Sequence, residues 1–337
     1  QAQSCPAWVM PNAHGTGYYR FALAPKYQQA LSGAFAQLDE REQRVYADSV
    51  TAAYGAGKLT PSEFIKTLPQ FASASVRQTV TAGMGSLGWM DDNLLKTEAE
   101  RTAFRKHAAD IYRPRLQQLG MMPKDGEPDD DRLLRATLIG VFANFFKDPA
   151  VRADMNKQGR AVLGLEAGGD GALHADAVPK DIRGNALAVA VQEGGKEAFD
   201  AAEKHFRASQ DPTIRSQLLG AMGDAQDPAL AERARGLVFE QGLLRRNEIF
   251  PVVGGQAGEE KTRPALRQWV DAHFIELEAK LAPAGAALVG LYSAGMCSND
   301  DATALQARFE DRMKNIEGGP LELKQTVEGI RLCAAQK

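Results

Sequence analysis

Two short motifs, Asp148-Pro-Ala-Val-Arg152 and Asp211-Pro-Thr-Ile-Arg215, decide the fold class of this chain. In each motif the aspartate is suited to cap a helix, the proline to occupy its first turn, and the next apolar residue to face a neighbouring helix. Asp227-Pro-Ala-Leu230 repeats the first part of the pattern. The motifs are reminiscent of HEAT-type repeats, in which helix pairs stack into a solenoid. Because the spacing between the motifs is uneven, they predict an irregular array of such helix pairs and not a strict repeat.

Helix signals continue on both sides of these motifs. Three capping boxes, at 39–42, 60–63 and 97–100, mark helix starts in the first third of the chain. The composition is 44% hydrophobic but only 7% aromatic, which favours helices over sheets. Short loops between helices favour antiparallel pairs, so we predict an all-α fold, an α-α superhelix of HEAT/ARM-like helix pairs over 25–337. Helices are expected at about 182–192, 195–208, 212–222, 228–241, 243–254, 262–280, 284–293, 299–316 and 320–335.

Residues 1–24 have a different pattern. Two apolar and aromatic runs, 7–10 and 18–23, are separated by residues that supply turn geometry, namely Pro11, Asn12, Gly15 and Gly17. This pattern predicts a β-hairpin. A two-stranded hairpin alone is marginal in water, so we expect it to be the end of a preceding β-sandwich domain. Four of its residues are expected at the interface between that domain and the helices, with the arginine anchoring the segment: Trp8, Tyr18, Tyr19 and Arg20.

Charge and motif content exclude several functions. The formal net charge is −3 with both signs interspersed, so no basic field indicates a nucleic-acid partner. No apolar run reaches the ~18–20 residues that a membrane span needs, and we expect no membrane partner. The sequence contains no H-E-x-x-H zinc motif, G-x-S-x-G elbow, Walker loop or dinucleotide fingerprint. We therefore expect no catalytic residue, metal ligand or cofactor within this chain.

The three cysteines are Cys5, Cys297 and Cys333, and no two form a C-x-x-C pair. Cys297 precedes the penultimate predicted helix and Cys333 lies near the end of the last one. If these helices fold back on each other at 318–320, the two thiols meet and a disulfide is expected; two buried free thiols are the alternative. A disulfide would favour a periplasmic or secreted protein over a cytoplasmic one, and would leave Cys5 unpaired within the chain.

The N-terminal motif also carries a family resemblance. Trp8-Val-Met-Pro-Asn12, followed by Gly15-Thr-Gly-Tyr-Tyr-Arg20, resembles the entry to the C-terminal domain of zinc aminopeptidases of the aminopeptidase N and puromycin-sensitive type. Further segments resemble the same domain in the same order and cover nearly the whole chain: 39–61, 119–135, 192–199, 210–215, 243–248, 263–281 and 323–330. One departure is Phe21-Ala-Leu23, where many relatives carry a more polar strand.

The resemblance implies a definite role. In such enzymes the zinc ligands, the glutamate base and the amine-binding segment lie in an upstream thermolysin-like domain. The C-terminal domain is a bowl of helices that closes over the zinc site and admits only small peptides. The implied partners are the upstream catalytic and β domains of the same polypeptide and a peptide substrate, with zinc in the catalytic domain. No activity is expected from this chain alone. The alternative is a free-standing HEAT-like scaffold that binds a protein partner.

Substrate contacts are expected on the inner wall of such a solenoid. Arg245, Arg246, Asn247 and Glu248 cluster at the predicted start of a helix that follows a glycine. We expect some of them to face the cavity, where an arginine could attract the C-terminal carboxylate of a peptide. The alternative for each residue is a solvated helix face with local salt bridges.

Overall fold

The computed structural model describes residues 5–337, and the regular elements in this range are all helical, as predicted. The chain forms two compact units, the first ending at Phe146 and the second beginning at Lys147; of the last residues, Gln336 groups with the first unit. The α-helices are α1 (Pro25–Gly33), α2 (Glu40–Gly55), α3 (Pro61–Ile65), α4 (Leu68–Ala72), α5 (Arg77–Thr81), α6 (Met84–Asn93), α7 (Glu98–Leu119), α8 (Asp129–Gly140), α9 (Pro149–Val162), α10 (Lys180–Ala208), α11 (Pro212–Gly223), α12 (Pro228–Gly236), α13 (Ile249–Gly258), α14 (Arg263–Ala272), α15 (Phe274–Leu281), α16 (Ala287–Tyr292), α17 (Asn299–Met313) and α18 (Gly319–Gln336).

Local sequence explains how the helices of the first unit begin. The side chain of Asp39 accepts a hydrogen bond from the backbone N–H of Glu42 at 2.9 Å, and the Glu42 carboxylate accepts one from the backbone N–H of Asp39 at 3.1 Å. The capping boxes that begin with Thr60 and Thr97 form in the same way at the starts of α3 and α7. Each box satisfies backbone donors that the first turn of a helix leaves free. All three predicted capping boxes are confirmed.

The core of the first unit is aromatic. The rings of Phe35, Tyr46 and Phe71 pack against one another with centroids 5.7–6.4 Å apart. The same unit also buries a charged group: Arg135 is 1% exposed and forms a two-point ion pair with Glu127. Because Glu127 lies in the loop between α7 and α8, this pair fixes the loop to α8. The guanidinium of Arg135 also donates to two backbone carbonyls at the end of α7, those of Leu119 and Gly120.

The predicted β-hairpin is wrong for the described part of 1–24, residues 5–24, because this segment contains no strand. The side chain of Asn12 closes the loop instead: its amide donates to the carbonyl of Gly17 at 2.7 Å, and its oxygen accepts from the N–H of Gly17 at 2.8 Å. The backbone N–H of Phe21 donates to the hydroxyl of Ser49 on α2 at 3.4 Å. The second apolar run therefore lies against a helix and does not pair with the first.

The second unit is a succession of helices in which neighbours in sequence pack together. α10 packs on both α9 and α11, and α11 packs in turn on α13. The carboxylates of Asp148, Asp211 and Asp227 each accept two backbone hydrogen bonds at the starts of α9, α11 and α12, with proline next in the chain. The predicted aspartate caps are confirmed, and they set the starts of successive helices in a solenoid-like stack.

Two glycines shape the long helix α10 and its neighbour. Gly159 of α9 lies so close to α10 that a Cβ atom there would be 2.1 Å from the backbone oxygen of Ala186. Gly195 has φ 53° and kinks α10, which agrees with the break predicted between two helices at 192–195. The helix predicted over 262–280 is wrong in one respect, because it breaks at His273 into α14 and α15.

Within residues 5–337, the helices are too short or too polar for any of them to cross a membrane.

Candidate functional site

The cluster at 245–248 lies in a turn before α13 and not at the start of a helix, so the predicted helix start at 243 is wrong. Arg246–Glu248 form a single 3₁₀ turn, and α13 begins at Ile249. The carboxylate of Glu248 accepts a hydrogen bond from the backbone N–H of Arg245 at 2.9 Å. This bond closes the turn and fixes where the exposed residues of the cluster lie.

Glu248 is 3% exposed and belongs to a buried ion pair. Its two carboxylate oxygens accept from Nε and Nη2 of Arg215 at 2.7 and 2.9 Å. Hydrogen bonds from this guanidinium hold the pKa of the Glu248 carboxyl below its usual value, despite the opposing effect of burial. The carboxylate of Glu248 is therefore occupied by the protein itself.

Arg215 joins three parts of the second unit around this pair. Its guanidinium donates to the carbonyls of Phe206 and Ser209, at the end of α10, and to that of Leu243, in the turn. It also lies 4.2 Å from the centroid of the Phe206 ring. The Asp-Pro motif alone gives Arg215 no role in the ion pair. Arg152, at the same position of the other motif, pairs instead with Glu193 of the following helix, so no local signal identifies the partner of Arg215.

The other three residues of the cluster are exposed. Arg246 donates to the carbonyl of Ala282 at 2.5 Å. The side chains of Arg245 and Asn247 are exposed, and the positive charge of Arg245 also helps to lower the pKa of the Glu248 carboxyl. The structure therefore separates the predicted set: Glu248 is a structural carboxylate, and the substrate-contact prediction continues with Arg245, Arg246 and Asn247.

Several arginines on the surface of the second unit form ion pairs. Arg152 of α9 contacts Glu193 of α10, and Arg160 of α9 contacts Glu197 of α10. Further along, Arg207 forms ion pairs with Glu203 and Glu240, and Arg233 with Asp200 and Glu203. Such exposed pairs contribute little stability each.

The predicted interface residues lie in the N-terminal segment of the first unit. Arg20 forms a two-point ion pair with Asp48 of α2 at 2.8 and 3.1 Å, so it ties the segment to a helix. Tyr18 is fully exposed and Tyr19 is 54% exposed. Trp8 is half-buried. An open cleft of about 880 Å³ lies beside the two tyrosines and is lined on its floor by α2.

Cys297 and Cys333 form a disulfide with their Cα atoms 5.2 Å apart. It joins Cys297, two residues before the start of α17, to the last turns of α18, and Cys5 is free and exposed. Closing a loop of 36 residues stabilises the fold by about 3–4 kcal/mol in the chain-entropy model.

Among the described residues, one group brings ligand atoms within 4.8 Å of one another in a way that could hold a metal: His14, Asp39 and Glu42. Asp39 and Glu42 already accept the backbone hydrogen bonds of the capping box, and Nδ1 of His14 lies 3.0 Å from Asp39. Asp39 hydrogen-bonds His14 and raises the pKa of the imidazole. This exposed set lacks the two histidines one helical turn apart that an H-E-x-x-H zinc site uses, so it does not fit a catalytic zinc ion.

Comparisons with known proteins agree with the motifs. The model of the family described as the ERAP1-like C-terminal domain matches residues 8–332. The chain is also similar to "Aminopeptidase 2, mitochondrial" of Saccharomyces cerevisiae, with 26% identity over 162 residues, 46% of this chain and 16% of the yeast protein. The chain thus aligns with about a sixth of the length of this relative. Because the family model spans nearly all of the sequence, the chain belongs to the family of ERAP1-like C-terminal domains of aminopeptidases.

Proposed function

We propose that this chain is the C-terminal, substrate-enclosing domain of a zinc-dependent aminopeptidase, an enzyme that removes N-terminal residues from peptides. The observation that carries the proposal is the family match over residues 8–332. The catalytic zinc, its ligands and the general base would belong to another domain of the same polypeptide. Zinc would there polarise the scissile carbonyl and activate a water molecule. This chain would contribute walls that confine the peptide.

The stacked helices of the second unit support this role. Helix-pair arrays present an extended inner surface to a ligand. The turn at 245–248 is held rigidly by the buried pair of Arg215 and Glu248, so the neighbouring exposed side chains are presented from a fixed base. The guanidinium of Arg245 is exposed and could donate two hydrogen bonds to the C-terminal carboxylate of a peptide.

A first experiment tests the assignment as an aminopeptidase domain. The 337-residue chain is assayed with aminoacyl-4-nitroanilides beside a longer polypeptide that includes the sequence encoded immediately upstream. We expect hydrolysis only from the longer polypeptide, and its loss with a zinc chelator. Robust hydrolysis by the 337-residue chain, or a longer polypeptide that contains no zinc motif, would overturn the proposal.

A second experiment tests the contact with substrate. In the longer polypeptide, Arg245→Ala should raise KM for a tetrapeptide about tenfold, the loss of a charge-assisted hydrogen bond. KM for an aminoacyl-4-nitroanilide, which has no peptide carboxylate, should be unchanged. The matched control is Arg331→Ala, an exposed arginine on α18. Equal effects on both substrates, or no effect on either, would remove Arg245 from the substrate site.

The disulfide bears on location. We propose a periplasmic or secreted protein, because structural disulfides persist in oxidising compartments. Labelling of free thiols in protein taken from its native compartment, under conditions that block exchange, tests this. Three reactive thiols under denaturing conditions, and not the one of Cys5, would favour the cytoplasm.

A further inference from the structure

The cleft of the first unit carries a feature that the proposed function does not use. Its floor is one face of α2, on which Arg41, Arg44 and Asp48 follow at helical spacing. Its walls include the segment with Tyr18 and Tyr19, together with Gln78 of α5 and Ala82. Its volume of about 880 Å³ is within the range of pockets that hold a ligand of several hundred daltons.

The charge of this cleft is uncompensated. Asp48 is neutralised by Arg20, which binds it at two points. The guanidinium groups of Arg41 and Arg44 are exposed and, within residues 5–337, make no hydrogen bond or ion pair. The cleft therefore has two free positive charges in a concave surface, although the whole chain has a formal net charge of −3. Concave surfaces of one charge sign concentrate ligands of the opposite sign.

The wall of the cleft adds apolar surface. Tyr18 is fully exposed and Tyr19 is 54% exposed, while the Tyr19 hydroxyl is fixed by donating to the carbonyl of Pro11 at 2.7 Å. A Cβ atom at Gly17 would be 2.2 Å from the Tyr19 ring, so the glycine lets this ring fold back over the loop. Tyrosine and arginine together are the residues most enriched at the centres of protein interfaces.

The spacing of the two arginines selects the form of the ligand. Residues three apart on a helix have Cβ atoms about 5–6 Å apart. Alternate side chains on one face of an extended peptide repeat at about 6.6–6.8 Å. Two carboxylates in an acidic-x-acidic sequence can therefore meet Arg41 and Arg44 together. An apolar residue beside them can lie on the tyrosine rings.

We propose that this cleft is a docking site for an extended acidic peptide segment of a protein, with a Glu-x-Glu or Asp-x-Asp core. The carboxylates pair with Arg41 and Arg44, and an apolar side chain of the segment packs on Tyr18. The site is built from residues of the first unit alone and involves no hydrolysis.

The test uses fluorescence anisotropy of the 337-residue chain with a labelled peptide containing Glu-Ala-Glu-Ala-Phe, in which the phenylalanine shares a face with the two carboxylates, and a matched peptide containing Gln-Ala-Gln-Ala-Phe. We expect binding of the acidic peptide, at least tenfold weaker binding of the neutral one, and affinity that falls as salt is raised from about 50 to 500 mM. The double variant Arg41→Glu/Arg44→Glu should abolish binding. Arg41→Gln/Arg44→Gln, which removes the two charges without reversing them, should weaken it at least tenfold.

The matched control is Lys26→Glu/Lys58→Glu, which changes the net charge equally at exposed positions of the same unit that do not line the cleft. It should bind the peptide as the parent does, and circular dichroism should show all three double variants folded. Equal loss in the control, equal binding of the two peptides, or no binding at millimolar peptide would overturn the proposal. Equal competition by inorganic phosphate or by a single-stranded oligonucleotide at the same charge concentration would overturn it too, since the site would then select charge alone.

Discussion

Arg215 and Glu248 form a two-point ion pair at 2.7 and 2.9 Å between helix α11 and the turn before α13, and both side chains are less than a tenth exposed. The pair connects residues 33 positions apart in the sequence. It therefore holds α11 against the turn before α13, two elements whose own sequences do not show that they are in contact. Its consequences can be measured.

Removing one partner of this pair should be costly. Arg215→Ala leaves the Glu248 carboxylate buried without a cation, and we expect a loss of about 3–5 kcal/mol in the free energy of unfolding. Urea unfolding followed by circular dichroism measures it. The matched control is Lys314→Ala, whose partner Asp311 is 92% exposed and whose loss should be close to zero. Equal stability of the two variants would show that the buried pair has no special role.

The stability of the fold should depend on pH through the carboxyl of Asp224. Burial raises its pKa to about 6, and within the described residues the carboxylate makes no hydrogen bond or ion pair. The folded state therefore holds the proton of this carboxyl more tightly than the unfolded state. The resulting contribution to the free energy of unfolding is fully present below the unfolded-state pKa and is lost as pH rises through about 6.

Asp224→Asn removes this dependence. We expect the variant to be more stable than the parent by about 2 kcal/mol at pH 7.5, with the difference vanishing near pH 4. Urea unfolding at both pH values measures it. Asp311→Asn, at an exposed position, should give no gain at pH 7.5. A gain at pH 7.5 that persists unchanged at pH 4 would show that the carboxyl charge is not the cause.

The disulfide should be structural. Cys297→Ser/Cys333→Ser should lower the free energy of unfolding by about 3–4 kcal/mol, with the loss seen as faster amide exchange in α17 and α18. Reduction of the parent should have the same effect, whereas Cys5→Ser should have none because Cys5 is exposed and free. Unchanged exchange in the double variant would contradict a stabilising bridge.

The close approach of α9 and α10 depends on a single glycine. Gly159→Ala would bring a methyl group against the backbone of Ala186, which cannot move aside as a side chain can, and we expect a loss of about 1–3 kcal/mol. Gly220→Ala, in α11 where a Cβ atom meets nothing within 4 Å, should instead gain about 0.5–1 kcal/mol. Thermal unfolding compares the two, and changes of the same sign would refute the packing argument.

The features predicted correctly from the sequence are those set within a few residues. The caps of Asp39, Asp148 and Asp211 form because the side chain and the backbone N–H groups it binds are two or three residues apart. The all-α class follows from many such signals in succession. The family resemblance rested on the order of weak motifs along the whole chain, and the match over residues 8–332 confirms it.

The features that were missed depend on contacts distant in sequence. The turn-rich segment before Tyr18 is compatible with a hairpin, but Asn12 folds the loop onto itself and Ser49 of α2 takes the N–H of Phe21. The local sequence makes Glu248 a candidate for the cavity, because its partner Arg215 lies 33 positions earlier. No local pattern contains these contacts.

The bridge between Cys297 and Cys333 has a further consequence for the second unit. A succession of helices that contact mainly their neighbours is expected to unfold first at its ends, because a terminal helix has a neighbour on one side only. Here the last turns of α18 are bonded covalently to Cys297, which lies two residues before the start of α17. We therefore expect α17 and α18 to unfold together, so that a protease cleaves neither helix until both have unfolded.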